Sequence, residues 1–461
     1  MKESILDDTI AAISTPPGQG AISIVRLSGA MTFDIAKKIF KPKEKFDAIA
    51  SWKATLGKIY DNNGEIDEVI LIKFKSPNSY TKEDMVEINC HGGVYVSRRI
   101  LELILDNGAR IAQPGEFTLR SFLNGRMDLS RAEAVADLIQ SQTEVSLQAS
   151  LNQLDGKLSE RITKIRALII NSASLLELEL DFSEEDIEFV NRQELLKKIN
   201  KIKEEVENLI VTYQAGRIAR EGVKLVITGK ANVGKSSLLN RLVRDERAIV
   251  TDIPGTTRDA LEVQLDIQGV LFRIVDTAGL KKTDDQIEME GIRRAEKHLR
   301  SADIIVHLFD GSDELDENDF EIIKKIENIP NKKVLRVVNK TDLLQILNRS
   351  RLLANSVQIL SISALLGSGV KQFEDFVLQT VLKDENIFSQ QVIVTSIRHY
   401  NALKKVLESL NRAVDEIKKE VSPEFISVYL RDALDSLGEI IGAVTSEDIL
   451  NNIFSKFCIG K

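Results

Sequence analysis

The period of the apolar positions changes along the chain, and each change marks a domain. Over residues 1–119 the apolar runs are short. Residues 21–27 alternate as a strand does, a turn at Asp61-Asn62-Asn63-Gly64 precedes a strand-like run over 68–74, and 94–105 read as a helix. This pattern predicts an α+β domain. From residue 120 the period becomes helical. Leu147, Leu151, Leu154, Leu158, Ile162, Ile165 and Ile169 form one stripe, which predicts a single long helix. Leu196, Ile199, Ile202, Val206, Leu209 and Tyr213 form a second, with Gly216 as its expected stop. Ser183, followed by Asp186, resembles a helix start between them. Over 222–383, buried-strand runs at 224–228, 272–275, 303–309, 334–338 and 357–361 alternate with helical segments. That predicts a doubly wound, mostly parallel α/β sheet. Helical spacing returns over 384–461, at Leu403, Val406, Leu410, Val414 and Ile417, then Tyr429, Ala433, Leu437 and Ile440. The simplest architecture packs these last helices on those of 120–221, giving a multidomain α/β chain whose α/β domain is inserted into one split all-α domain.

Four loops of the inserted domain carry the chemistry. Gly229-Lys-Ala-Asn-Val-Gly-Lys-Ser236 matches G-x-x-x-x-G-K-[ST] between a strand and a helix, the context a phosphate loop requires. Asn232, Val233, Gly234, Lys235, Ser236 and Ser237 then wrap the phosphates. Lys235 sets a cation on the β- and γ-phosphates, and Ser236 offers its hydroxyl to Mg²⁺. Asp276-Thr277-Ala278-Gly279 ends the next strand, where a carboxylate holds the Mg²⁺ shell and a glycine N–H senses the γ-phosphate. Asn339-Lys340-Thr341-Asp342 follows a later strand. An Asp there accepts both N–H groups of the guanine edge that adenine lacks, which selects GTP over ATP. Asn339 braces the phosphate loop, and Ser363-Ala364-Leu365 offers a backbone N–H to the guanine oxygen.

Thr251-Asp252-Ile253-Pro254-Gly255-Thr256-Thr257 suits a switch in which either Thr256 or Thr257 completes the Mg²⁺ shell. The competing reading is a Pro-Gly surface turn. Many small GTPases place a water-orienting Gln directly after the glycine of the second motif; here Leu280 stands there. The charged stretch 284–290, with Glu288 favoured, is the candidate replacement, and a solvated helix start would explain the same carboxylates.

Composition narrows the setting. At 461 residues the chain has room for about three domains. Its net charge of −8 confines any RNA contact to a local basic patch on an acidic body. Two cysteines, Cys90 and Cys458, make no disulfide framework, which fits a reducing compartment. The first residues, with Asp7 and Asp8, do not form a secretory signal, and no apolar run is long enough for a membrane span. A cytoplasmic protein without membrane attachment is expected. The terminal Lys461 argues against lipidation of Cys458. That leaves either an inert thiol on a mobile tail or a participant in a site. Cys90-His91 is read as part of a structural turn at Gly92-Gly93 rather than as a metal or nucleophile pair.

Outside the inserted domain, several runs resemble the MnmE (TrmE) family of bacterial tRNA modification GTPases. They are Asp8-Thr-Ile10, Thr15-Pro-Pro-Gly-Gln-Gly-Ala-Ile-Ser-Ile-Val-Arg-Leu-Ser-Gly29, Asn89-Cys-His-Gly-Gly93, Pro114-Gly-Glu-Phe-Thr-Leu-Arg-Ser-Phe-Leu-Asn-Gly-Arg126, Asp181-Phe-Ser-Glu-Glu-Asp-Ile187 and Phe457-Cys-Ile-Gly-Lys461. The resemblance implies a domain over 1–119 that binds a tetrahydrofolate derivative (5-formyl or methylene) and dimerises. It also implies helical parts at 120–221 and 384–461, and a G domain at 222–383. It implies a potassium-stimulated GTPase working with the FAD-carrying flavoprotein MnmG (GidA) in a heterotetramer. Together they would install a carboxymethylaminomethyl-type group on carbon five of the wobble uridine of certain tRNAs.

By the same resemblance, Asn232, Thr251, Ile253 and Thr256 hold K⁺, which neutralises charge on the transferring phosphate. Ser236 and Thr257 hold Mg²⁺, and Glu288 orients the water. Arg26, Glu87, Arg126 and Lys461 surround the folate, where cations pair carboxylates and a carboxylate bonds the pterin's amino edge. Cys458 lies near that site. Arg126 stands where the family often has Lys, and Gln19 and Lys230-Ala231 replace a frequent Arg and Arg-Pro. The competing function is an RNA- or ribosome-associated GTPase acting as an assembly switch, for which a basic RNA-binding appendage would be expected.

Overall fold

In strand β2 (Ile22–Ser28) Ser23, Val25 and Leu27 are buried while Arg26 lies on the other, more open face. In β6 (Met85–His91) Val86, Ile88 and Cys90 are buried and Glu87 shares Arg26's face. This alternation is what a half-solvated antiparallel sheet demands. The two strands pair antiparallel, with Arg26 directly opposite Glu87. They sit in a seven-stranded sheet with β1 (Ile10–Ile13), β3 (Phe40–Pro42), β4 (Ala54–Asp61), β5 (Gly64–Phe74) and β7 (Arg110–Ile111), in the order β3-β4-β5-β6-β2-β1-β7. Ile35 and Ile39 of the helix Thr32–Ile39, and Ile100 and Ile104 of the helix Val94–Asp106, close the core on the buried face.

The computed structural model describes residues 8–42, 45–181, 192–245, 262–276, 293, 296–330, 332–352, 359–381, 392–419 and 421–461. It divides into two units. The first comprises Met1–Ile139, Gln153–Glu205 and Ala402–Lys461, the second Gln140–Asn152 and Val206–Asn401.

In the first unit the helix Lys157–Asp181 packs along the helix Pro423–Ile441. Leu158, Ile162, Ile165 and Ile169 are buried, as their spacing requires. Arg166 reaches across to donate to the Leu434 carbonyl at 2.6 Å. The single long helix expected over 147–169 is two helices, Glu144–Leu154 and Lys157–Asp181. The break falls at Gly156, which takes φ +86° with the Arg131 guanidinium lying against it.

In the second unit a six-stranded sheet runs β13-β12-β11-β8-β10-β9. Its strands are β8 (Val223–Thr228), β9 (Glu262–Ile267), β10 (Val270–Asp276), β11 (Ile304–Asp310), β12 (Lys333–Asn339) and β13 (Ile359–Ser361). All neighbouring pairs are parallel except β9 with β10. β8, first in the chain, lies between β10 and β11. That is a reversal of strand order, and the crevice beyond the carboxyl end of β8 is where such a sheet binds ligands. Gly216 does not stop a helix. It lies inside the helix Tyr213–Glu221, where the Val394 carbonyl packs so close that a Cβ would sit 2.1 Å from its oxygen. The helix that carries the second stripe runs Arg192–Val211, and the separate helix Tyr213–Glu221 ends at Gly222. Thr212 accepts the Val394 N–H at 3.0 Å, and Tyr213 stacks on Tyr400 at 4.3 Å.

Among the described residues, no helix is long and apolar enough to cross a membrane. The expected helix start at Ser183 lies outside the described residues.

Candidate functional site

β8 leads through residues 229–234 into the helix Lys235–Asp245. The loop curls tightly: Asn232 takes a left-handed φ of +63° with its side chain exposed, and Val233 is buried. Lys235 is buried beneath it and donates to the carbonyls of Gly229 at 2.8 Å and Lys230 at 2.6 Å. Ser236 and Ser237 open the helix on its exposed side. A curled loop of backbone N–H groups ahead of a helix N-terminus, with an ammonium at its base, is a receptor for a polyphosphate.

The loops after β12 and β13 close on the phosphate loop through Asn339. Its Nδ2 donates to the Val233 carbonyl at 2.8 Å and its Oδ1 accepts the Ala364 N–H at 2.9 Å. Lys340 is left-handed at φ +62° and pairs with Asp310 at 2.5 Å. Thr341 N–H donates to the Ile362 carbonyl at 3.2 Å, and the buried Ser363 hydroxyl donates to Asp342 at 2.5 Å. Leu365 is exposed. Three loops distant in sequence thus share one hydrogen-bonded frame. Asp276 is the last residue of β10, alongside Ile227 of β8.

A second cluster lies on the open face of the seven-stranded sheet. Arg26 donates to Glu87 through Nε at 2.9 Å and to the Gly460 carbonyl through Nη1 at 3.1 Å. Gly460 also accepts from the Ser14 hydroxyl, and the Cys458 carbonyl takes the Gly115 N–H at 3.4 Å, so the chain's last residues are seated on the sheet. Lys461 is half-buried, and burial, then the nearby Arg26, lowers its amine's pKa. Arg126 donates to the Ser79 carbonyl at 3.0 Å. The Arg126 and Arg26 guanidinium groups lie 5.0 and 5.7 Å from the centre of the Tyr80 ring. The Cys458 side chain is exposed. Cys90 is buried, its thiol donating to the Ser23 carbonyl at 3.4 Å, and burial, then Asp67, pushes its pKa up to about 11. His91 pairs instead with Asp67, at 2.6 Å.

Family comparisons agree over nearly the whole chain. The model of the MnmE helical domain matches residues 129–458, and that of the GTP-binding protein TrmE N-terminus matches 9–126. The tRNA modification GTPase MnmE of Alkaliphilus metalliredigens is 43% identical, covering 99% of this chain and all of the relative. That of Aquifex aeolicus is 44% identical, covering 98% of this chain and all of the relative. This chain belongs to the MnmE family. Among solved structures, the G domain of the T. maritima FeoB iron transporter is 20% identical, covering 36% of this chain and 99% of its own with a TM-score of 0.27.

Within this MnmE chain, the expected site residues Thr251, Asp252, Ile253, Pro254, Gly255, Thr256, Thr257, Thr277, Ala278, Gly279 and Glu288 lie outside the described residues. Of the remaining ones, Asp276 is placed by its backbone at the end of β10 and the others fall in the two clusters above. Two residues that no motif marked belong to the nucleotide frame. Arg241 donates to the carbonyls of Ala364 at 3.3 Å and Leu365 at 2.5 Å, tying the helix after the phosphate loop to the last of the three loops. Asp310 holds Lys340 and accepts from Ser312. Its position at the carboxyl end of a buried strand was the available signal.

Proposed function

We propose that the chain binds Mg²⁺–GTP in the crevice beyond β8 and hydrolyses it with potassium stimulation, as the nucleotide-driven part of a tRNA wobble-uridine modifying complex. The observation that carries this reading is Asn339. One side chain joins the phosphate loop to the base-side loop, so that phosphate and guanine recognition are set together. Lys235 would hold the β- and γ-phosphates, and Asp342 the guanine edge. Ser236 would hold Mg²⁺ with Thr257, and its exposed place at the helix start suits that role. Asn232, on the exposed rim of the loop, would hold K⁺ with Thr251, Ile253 and Thr256, and Glu288 would orient the attacking water. The cations supply charge compensation when bound; the chain supplies their seats.

The cluster on the N-terminal sheet supports the folate reading. Glu87 pairs with Arg26 and lies within electrostatic reach of Lys461, and Arg26 shares the Tyr80 ring with Arg126. That set suits a ligand with an amino-bearing ring at one end and carboxylates at the other. The proposed domains are 1–119 for folate and dimerisation, 120–221 with 384–461 for the helical domain, and 222–383 for the G domain. The proposed partners are a second copy, the flavoprotein MnmG and tRNA, in the cytoplasm.

The deciding experiment is the nucleoside profile of tRNA from cells lacking this protein. The hypermodified wobble uridine should vanish and return on complementation. An unchanged profile beside robust GTPase activity would replace this reading with the assembly switch.

A further inference from the structure

The phosphate loop is fastened at a point that its motif does not specify. Lys230, second in the loop, has a side chain only 13% exposed. Its ammonium lies 3.1 Å from Asp313, 3.3 Å from Asp316 and 3.3 Å from Asp319. These carboxylates stand at the start of the helix Glu317–Glu327. There Asp316 and Asp319 form a capping box, each side chain accepting the other's backbone N–H. Asp319 is 2% exposed, and burial raises its carboxyl's pKa above the usual range. Three carboxylates this close need a cation among them. Burial alone would lower the Lys230 ammonium's pKa, and the carboxylates outweigh it and hold the pKa above the ordinary lysine value.

The backbone of the same residue does a second job. Its carbonyl accepts the Lys235 ammonium at 2.6 Å, beside the Gly229 carbonyl at 2.8 Å. The helix cap therefore fixes the Lys230 side chain, the side chain fixes its carbonyl, and the carbonyl aims Lys235. We propose that Lys230, seated in the Asp313–Asp316–Asp319 cup, is a positioning residue for phosphoryl transfer, acting through Lys235. This rests on the reading of residues 229–236 as the nucleotide site. Preorganised charge counts most where charge develops, so loosening the cup should lower turnover more than nucleotide affinity.

The test measures kcat and KM for GTP, affinity for a fluorescent GDP analogue, and the melting temperature, in the full chain. Lys230→Met should lower kcat about tenfold with GDP affinity within about threefold of wild type, and Lys230→Arg should restore most of the turnover. A purely structural cap would shift the melting temperature and leave kcat alone; that result overturns the proposal. Lys235→Ala separates the two readings. If it binds and hydrolyses GTP normally, the site assignment itself fails. If it loses both while Lys230→Met equals wild type, only the present inference fails. Should Lys230→Met not fold, Asp313→Asn decides, because Asp313 is 63% exposed and outside the capping box. An about two- to threefold fall in kcat at unchanged melting temperature supports the proposal, and unchanged kcat overturns it.

Discussion

The side-chain amide of Asn339 donates to the carbonyl of Val233 across 2.8 Å. Both residues are buried, and the same amide accepts the Ala364 N–H, so one side chain satisfies two buried backbone groups on loops far apart in sequence. Asn339→Ala would orphan both. An unpaired buried group costs about 1–3 kcal/mol, so urea unfolding should show about 2–6 kcal/mol lost for the two. GTP and GDP affinity should fall together, because the phosphate and base loops lose their common brace. Affinity that survives the substitution would mean that the frame is held elsewhere.

Asp342 is held by the Ser363 hydroxyl at 2.5 Å, which leaves its carboxylate few orientations. Guanine offers that carboxylate two donors, and xanthine offers one donor and one acceptor. Asp342→Asn replaces one acceptor with a donor and should favour xanthosine triphosphate. Each hydrogen bond to a charged group contributes about 1.5–3 kcal/mol, so GTP should weaken by about a hundredfold. Competition between the two triphosphates checks this. If GTP still wins in the variant, Asp342 does not read the base.

Five of the six strands of the G-domain sheet were legible because buried strands need a particular residue type; β9 (Glu262–Ile267), whose EVQLDI run mixes polar and apolar positions at an antiparallel edge, was not. Buried parallel strands demand apolar runs, and phosphate binding demands a small, curled loop with a lysine. The break at Gly156 was not legible, because the apolar period continues across it from Leu154 to Leu158. What decides it is the Arg131 guanidinium lying on the glycine. Gly216 misled for the converse reason: it serves the close approach of the Val394 carbonyl, a tertiary contact without a local signature. The acidic cup around Lys230 was hidden too. No local pattern ties Asp313, Asp316 and Asp319 to a lysine that precedes Asp313 by 83 residues.

Gly115 controls the seating of the C-terminal tail. It sits at φ +70°, gives its N–H to the Cys458 carbonyl, and leaves no room for a Cβ, which would lie 2.7 Å from the Phe454 oxygen. Gly115→Ala combines this clash with a left-handed backbone, a strain of about 1–3 kcal/mol. The tail should lift, and Arg26 should lose its contact with Gly460. Carboxypeptidase should then trim the variant faster than wild type and, on the proposed folate role of this cluster, tetrahydrofolate affinity should fall while GTP affinity holds. Equal trimming rates would show that the tail is anchored by other contacts, such as the packing of Ile453 and Phe454.

His307, on β11, is 1% exposed beside Phe309, and its Nε2 has no hydrogen-bond partner among the described residues. Burial, followed by the positive charges of Arg336 and Lys235, pushes its pKa down to about 3 from an ordinary 6.5. Above pH 6.5 the ring is neutral folded and unfolded, and contributes nothing to pH dependence. Below it the unfolded chain takes up a proton that the folded chain refuses. Stability therefore falls as pH drops from 6.5 towards 3, with a slope approaching about 1.4 kcal/mol per pH unit. His307→Leu removes the titrating group while keeping the site apolar. Urea unfolding between pH 7.5 and 4.5 should show a shallower loss of stability in the variant, with the two curves parallel above pH 7. Parallel curves throughout would mean that the folded sheet accepts the proton, which its packing against Phe309 and its two cationic neighbours argues against.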